Sequence, residues 1–223
     1  MTACNKCIWI ALLATLILSA CSKDEDNGTY PRLRTEYFDV LIDADTVVQG
    51  ITLDNGRYYP LNEGNTIKSQ VADTIIRCIG QIEIASDSTF ATIYSVTQAQ
   101  CFAPSEPNTY KPYIFYKNPV DVISAYKARH YINIIISSKI GGVKSHVYDF
   151  IKDSITTNHL TNKKTMHMTF FHYKAEDELE GYSQHLYMSV PMEPSYYKPT
   201  EQFDSVCLHV FTYDGEKIYT YER

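Results

Sequence analysis

The sequence is poor in glycine, with nine in 223 residues, and it contains no internal repeat. Together these exclude a solenoid or a low-complexity chain. It also lacks an excess of basic charge: 20 Lys and Arg stand against 26 Asp and Glu, a formal net charge of −6. Phosphate neutralisation supplies most nucleic-acid affinity, so no nucleic-acid partner is expected. Long hydrophobic runs are missing as well. The apolar stretch from Cys7 to Leu18 is roughly a dozen residues, short of the ~20 that span a hydrocarbon core. The spacings that carry chemistry are absent too. Beyond residue 20 there is no H-E-x-x-H and no paired C-x-x-C for a metal, and no G-x-S-x-G elbow for a nucleophilic serine. No catalytic residue and no cofactor is therefore expected.

The first segment reads as an address. Lys6 precedes the apolar run, which has the length of a secretory signal core. The run ends in Leu18-Ser19-Ala20-Cys21, which resembles the lipobox of bacterial lipoproteins. That resemblance implies cleavage of residues 1–20 and lipidation of the Cys21 thiol. Each buried methylene of a lipid contributes about 0.8 kcal/mol, so several acyl chains make a firm membrane anchor. Loss of residues 1–20 removes Lys6 and no acid, leaving 19 basic residues against 26 acidic and a formal charge of −7. Lys23, Asp24, Glu25 and Asp26 follow the cysteine. Such a charge-dense segment reads as a solvated tether over residues 21–36. It also resembles the surface-export signal of Bacteroidota lipoproteins, which implies an outer-membrane location with the surface preferred over the periplasmic face.

Cysteine is sparse in the remainder. Cys4 and Cys7 form a C-x-x-C that leaves with the signal, and after lipidation only Cys78, Cys101 and Cys207 remain. An odd number gives no disulfide framework. Three buried thiols are expected, with a Cys78–Cys101 bridge as the alternative. The seven histidines do not suggest a metal site. His167 and His172 lie five apart and face opposite sides of a regular strand. His146, His185 and His209 fall on separate expected strands. The acidic run Glu176, Asp177, Glu178, Glu180 lacks the alternating oxygens and central glycine of a calcium loop, so it reads as solvated.

What is abundant is aromatic: 19 tyrosines and nine phenylalanines, which favour strands. Period-two alternation runs through nearly the whole chain. Strands are expected over Tyr37–Asp43, Thr74–Ala85 and Thr89–Cys101. Ser86-Asp87-Ser88 joins the last two. Gly50–Leu61 reads as a hairpin, with Asn55-Gly56 supplying positive φ angles. A proline-rich stretch from Pro104 to Pro119 suits a linker or edge. Val120–Arg129 reads as a turn or two of helix. Tyr131–Ile136 is an apolar strand, Gly141-Gly142 turns the chain, and Lys144–Ile151 returns. Thr165–Tyr173 and Tyr182–Val190 flank the acidic loop. Phe203–Tyr213 and Lys217–Glu222 close the chain as a hairpin around Asp214-Gly215. Strands at this spacing imply two all-β domains, 37–117 and 118–223.

Several segments together resemble the NigD-like lipoprotein family. They are the lipobox with its acidic tail, Ile51-Thr52-Leu53-Asp54-Asn55-Gly56, and Ala91-Thr92-Ile93-Tyr94. Further along come Asn118-Pro119-Val120, Ser124-Ala125-Tyr126, Tyr131-Ile132-Asn133 and Met168-Thr169-Phe170-Phe171-His172. The resemblance implies an OB-like barrel followed by a β-sandwich. It implies a non-catalytic lipoprotein that binds a protein or envelope partner, with an immunity role as one version. The alternative is a glycan-binding accessory lipoprotein, since OB-like barrels bind saccharides as well as oligonucleotides. Tyr58, Tyr59, Tyr94, Tyr110, Tyr113 and Tyr116 are its candidate stacking platforms, or else they pack the barrel and linker. Finally, Asp87-Ser88-Thr89 and Asp153-Ser154-Ile155 resemble the Bacteroidota O-glycosylation sequon, so Ser88 and Ser154 are candidate acceptors. The same pairs also arise where Asp and Ser bond nearby backbone at strand starts.

Overall fold

The computed structural model describes residues 32–62, 67–111, 117–141, 146–174 and 181–223, and they are almost wholly β-structure. Cys21, Lys23, Asp24, Glu25, Asp26, Tyr113, Tyr116 and the acidic run at 176–180 lie outside the described residues. Among the described residues no helix is long and apolar enough to cross a membrane.

Five strands form the first sheet: β1 (Arg34–Ile42), β2 (Val48–Leu53), β3 (Tyr58–Pro60), β4 (Thr74–Ile84) and β5 (Ala91–Gln98). Their order is β3-β2-β1-β4-β5. Leu61, just past β3, meets Ala91 at the start of β5 in a parallel bridge, and Asn62 N–H donates to Ala91 O at 3.1 Å. The two edges therefore meet, and the sheet curls into the five-stranded OB-like barrel. Phe38, Ile51, Ile82 and Ala91 fill its interior with no exposure. Each large apolar side chain buried this way contributes about 1.5–3 kcal/mol.

Alternation on β1 and β4 has a second consequence. Phe38 and Cys78 point into the barrel core, while Tyr37 and Ile79 join a separate buried cluster with Ala99, against Ile135 and Tyr187. Adjacent residues are thus buried on both faces, because the outer face of these two strands is covered by the rest of the chain. Gly80 lies where β5 comes closest: a Cβ there would sit 2.0 Å from Ser95 O.

The hairpin over Gly50–Leu61 forms, but with different turn chemistry from the expected one. Leu53 N–H donates to Arg57 O at 3.0 Å, enclosing Asp54, Asn55 and Gly56. Only Gly56 has a positive φ, +83°. Asn55 instead accepts the Arg57 N–H on its side-chain oxygen at 2.9 Å. This is the three-residue hairpin loop with glycine in the left-handed region.

The expected strand Thr89–Cys101 divides in two. β5 ends at Gln98, and β6 (Gln100–Cys101) leaves the barrel to pair in parallel with β11 (Tyr182–Pro191). The remaining strands are β7 (Asp121–Lys127), β8 (Tyr131–Ile140), β9 (Val147–Thr157), β10 (Lys164–Tyr173), β12 (Ser205–Thr212) and β13 (Gly215–Glu222). They build two four-stranded sheets, β13-β12-β10-β9 and β6-β11-β8-β7. Their facing sides bury Ile132, Ile134, Ile136, Phe150, Met166, Met168, Phe170, Met188 and Leu208 in one core. The architecture is a β-sandwich.

Two expectations need correction here. Val120–Arg129 is not helical: β7 pairs antiparallel with β8. A bulge between Val122 and Ser124 puts Val122 and Ala125, three apart, against the same core and leaves Ile123 exposed. That spacing imitates a helix in sequence. Nor does Lys144–Ile151 return beside the strand before it. β9 pairs with β10 in the opposite sheet, so the chain crosses the sandwich between β8 and β9. Part of the proline-rich stretch is docked on the sandwich: Ser105 N–H donates to Phe150 O (2.7 Å), and Tyr110 stacks on Phe171 at 4.7 Å. Buried Asp149 accepts from both hydroxyls, Ser105 Oγ at 2.6 Å and Tyr110 OH at 2.7 Å.

Candidate functional site

Between the barrel strands and the sandwich lies a cleft of about 790 Å³. Its floor is Arg77, near the middle of β4 and only 5% exposed. Arginine is almost never buried without partners, and the chain supplies them from both sides. From the barrel, Arg77 Nη1 donates to Asp39 Oδ1 (3.2 Å) and Nη2 to Asp54 Oδ1. From the sandwich, Nη2 donates to Asn133 Oδ1 (3.0 Å) and Nε to Ser189 Oγ (3.3 Å). Asn133 Nδ2 then donates to Asp54 Oδ2 at 2.7 Å. The guanidinium also lies over the Tyr131 ring, 4.0 Å from its centroid.

The electrostatics follow from this enclosure. Burial lowers the tendency of Arg77 to hold its proton, but Asp54 and Asp39 outweigh it and the net shift is upward. The Asp39 carboxyl is raised by burial, against the opposing pull of Arg77 and of the Tyr131 hydroxyl bonded to it. A raised carboxyl in a cleft is a signature of general acids. Here, however, Arg77 holds one oxygen and Tyr131 the other. Cys101 also lines the cleft, and burial pushes its thiol up to about 11, so it stands as the poorly nucleophilic thiol at neutral pH.

Above this floor the walls are mixed. His130 Nδ1 lies 2.7 Å from Glu193 Oε1, with both side chains more than two-fifths exposed. Val71 (49%), Ile75 (63%) and Tyr196 (52%) line the same cleft and present apolar surface to solvent.

Among the described residues, the tyrosines proposed as platforms, Tyr58, Tyr59, Tyr94 and Tyr110, do not gather. Tyr58 and Tyr94 are exposed but sit on β3 and β5, and Tyr94 OH donates to Glu83. Tyr59 is buried in the barrel, and Tyr110 is packed on Phe171. The cleft takes Tyr131 and Tyr196 instead. Ser88 is exposed in the β4–β5 turn, with φ +60°, and Ser154 is exposed on β9. Cys78, Cys101 and Cys207 are all free thiols, Cys78 buried and the other two half-buried.

The histidines sort by face. His167 and His172 do lie on opposite sides of β10. His172 is 2% exposed: its Nδ1 is 3.1 Å from Asn118 O and its Nε2 is 2.9 Å from His146 Nδ1. Burial drives its pKa down to about 4. His167 faces outward and meets Cys207 and His209, one ligand-type atom from each lying within 4.8 Å of the others. Sequence reading kept His167 and His209 apart. It missed Arg77 as well, although a lone arginine within Thr74-Ile75-Ile76-Arg77-Cys78-Ile79 carries the signal of a buried, paired charge.

Comparison with known proteins agrees with this architecture. Residues 103–223 match the NigD-like C-terminal beta sandwich domain. Among solved structures, a NigD-like immunity protein from Bacteroides caccae is 25% identical, with a TM-score of 0.62, 86% of this chain covered and 98% of that one. A candidate toxin-related protein from Parabacteroides distasonis shares the fold at 16% identity and a TM-score of 0.64, covering 86% and 93%. A candidate lipoprotein from Bacteroides fragilis does so at 13% and 0.58, covering 86% and 98%. Among curated proteins, none matches. Motif residues that carried the sequence resemblance hold the structure together: Asp54 and Asn133 meet around Arg77, and Asn118 and His172 meet in the sandwich. The chain belongs to the NigD-like family.

Proposed function

We propose that this chain is a non-catalytic outer-membrane lipoprotein, anchored through Cys21 and displayed at the cell surface, that binds a protein partner in an immunity-like role. One observation carries the reading. The cleft combines exposed apolar walls, Val71, Ile75 and Tyr196, with a charged floor already paired within the chain. An exposed apolar rim over a floor whose charges are already satisfied suits a protein segment that brings an apolar anchor. They do not suit catalysis, because the carboxyl in the cleft is held at both oxygens and the thiol there is protonated. The name of the Bacteroides caccae relative supports the immunity version. Ser88 and Ser154 are proposed as O-glycosylation acceptors on the same exported chain.

Deletion of the gene is expected to sensitise the cell to a factor secreted by a sibling strain. Wild type restores resistance, whereas Ile75→Glu combined with Tyr196→Ala does not, although the protein still folds and reaches the membrane. Unchanged sensitivity of the deletion strain across a broad panel of secreted factors refutes the immunity version. The glycan reading retains one supporting feature, the pair Tyr131 and Tyr196 in the cleft beside Glu193. A blank glycan array with the folded protein removes it.

A further inference from the structure

The outer face of the sheet β13-β12-β10-β9 gathers three metal-ligating side chains. On β12 alternation sends Val206, Leu208 and Val210 into the core, which leaves Cys207 and His209, two residues apart, on the outer face. β10 runs parallel to β12 with His167 opposite Cys207, and its own alternation sends Met166 and Met168 inward and His167 outward. All three are half-buried, and one ligand atom from each lies within 4.8 Å of the other two. Cys207 Sγ is 3.4 Å from His209 Nε2.

Those separations can be compared with a metal's needs. With Zn–S of about 2.3 Å and Zn–N of about 2.0–2.1 Å, tetrahedral ligands stand about 3.3–3.7 Å apart. The Cys207–His209 pair already has that spacing. The His167 atom, within 4.8 Å of the other two, must draw closer for all three to share one ion. A carboxylate also holds one of the imidazoles: His209 Nδ1 lies 2.8 Å from Glu216 Oε1 on β13. With its proton on Nδ1 and donated to the carboxylate, the ring keeps the Nε2 lone pair directed at the thiol. This carboxylate–histidine arrangement is the one that orients and strengthens an imidazole ligand. His167 Nε2 is 2.9 Å from Thr156 Oγ1 on β9.

We propose that His167, Cys207 and His209 bind a divalent transition-metal ion, zinc above all, with Glu216 orienting His209. Two imidazoles and a thiolate select zinc-like ions over magnesium and calcium, which take oxygen ligands. Cys207 enters as thiolate, so binding releases its proton to solvent. Three protein ligands leave one position for water or an added ligand, unlike the closed four-ligand structural sites. The site is separate from the Arg77 cleft and stands whether or not the partner-binding proposal does.

The test uses the processed protein, without residues 1–20 and their Cys4 and Cys7 thiols, stripped with chelator and titrated with zinc against a competing chromophoric chelator, and with cobalt in parallel. Uptake of one zinc per chain is expected, and the cobalt form should show a sulfur-to-metal charge-transfer band in the near ultraviolet. Cys207→Ser should abolish that band and weaken zinc binding tenfold or more, while Cys78→Ser and Cys101→Ser leave both unchanged. Glu216→Gln should weaken binding about tenfold with unchanged stoichiometry. Zinc should also slow alkylation of Cys207 in the wild-type chain, which decides the matter even if a variant misfolds. A chain that takes up no zinc, a cobalt spectrum without the thiolate band, or alkylation indifferent to zinc overturns the site.

Discussion

Arg77 and the His167–Cys207–His209 group are two polar clusters in one β-fold, yet they are built in opposite ways. Around Arg77, donors meet acceptors from both bodies: two carboxylates from the barrel, an amide and a hydroxyl from the sandwich. The cluster on the outer sheet face gathers lone pairs instead, two imidazoles and a sulfur, with one carboxylate to take a proton. A satisfied network is spent on holding strands together. A donor-poor cluster at half exposure is available to an incoming cation. The same chain thus separates the residues that keep its shape from those that can take a ligand.

Arg77→Ala leaves Asp39 and Asp54 facing each other and strips Asn133 and Ser189 of a partner. Removing one member of a buried charged group typically costs about 3–5 kcal/mol. The two carboxylates are about one-fifth exposed, so the lower end of that range is expected. Urea denaturation should show the midpoint falling accordingly. The triple variant Arg77→Met, Asp39→Asn, Asp54→Asn should recover much of the loss, since neutralising all partners removes the stranded charge. A single-variant change below about 1 kcal/mol would mean that the network contributes little to folding.

His172 supplies a comparable effect through pH. Its folded pKa of about 4 lies below the ordinary imidazole value of about 6.5, chiefly because burial penalises the charged ring, with His146 and Lys174 adding to the depression and Asn118 opposing it. The sign follows from proton counting. Between about pH 6.5 and 4 the unfolded chain binds a proton that the folded chain refuses. Its contribution is therefore fully present above about 6.5, and it is lost as pH falls toward 4, by about 3 kcal/mol in all. Stability measured across that window should decline in wild type and decline less in His172→Asn. An identical slope in both would assign the acid sensitivity to other groups.

How much of this could be read from the residues alone depends on whether the cause is local. Alternation is local, so nearly every strand was expected, and the closing hairpin around Asp214-Gly215 formed as expected. The bulge in β7 is also local, but it disturbs the very period that identifies a strand, which is why Val120–Arg129 read as helical. Which sheet a strand joins is not local. Nothing in Gln100–Cys101 says that it leaves β5 for β11, and nothing in Val147–Thr157 says that it pairs with β10 across the sandwich. The site residues divide the same way. Cys207 and His209 stand on one face by their spacing, but His167 reaches them only through a parallel pairing between strands about forty residues apart. Arg77 was visible as a charge inside an apolar strand. Its partners came from four other segments, none of them predictable from its neighbours.

In metal-free protein Cys207→Ser should change stability by no more than about 0.5 kcal/mol, because the thiol is half-buried and its loss opens little space. That is the reverse of Arg77, whose removal acts without any ligand. Adding zinc should then separate the two chains. A ligand that binds only the folded state stabilises by RT ln(1 + [L]/Kd), about 2.7 kcal/mol at a hundredfold excess over Kd. Wild type should gain by that amount in a thermal melt while Cys207→Ser, binding at least tenfold more weakly, gains no more than about 1.4 kcal/mol. Arg77→Ala, if it still folds, should gain as much as wild type, because its damage lies at a different site and distant sites add independently. Equal zinc responses in wild type and Cys207→Ser would remove the distinction between a cluster that holds the fold and a cluster that receives a ligand.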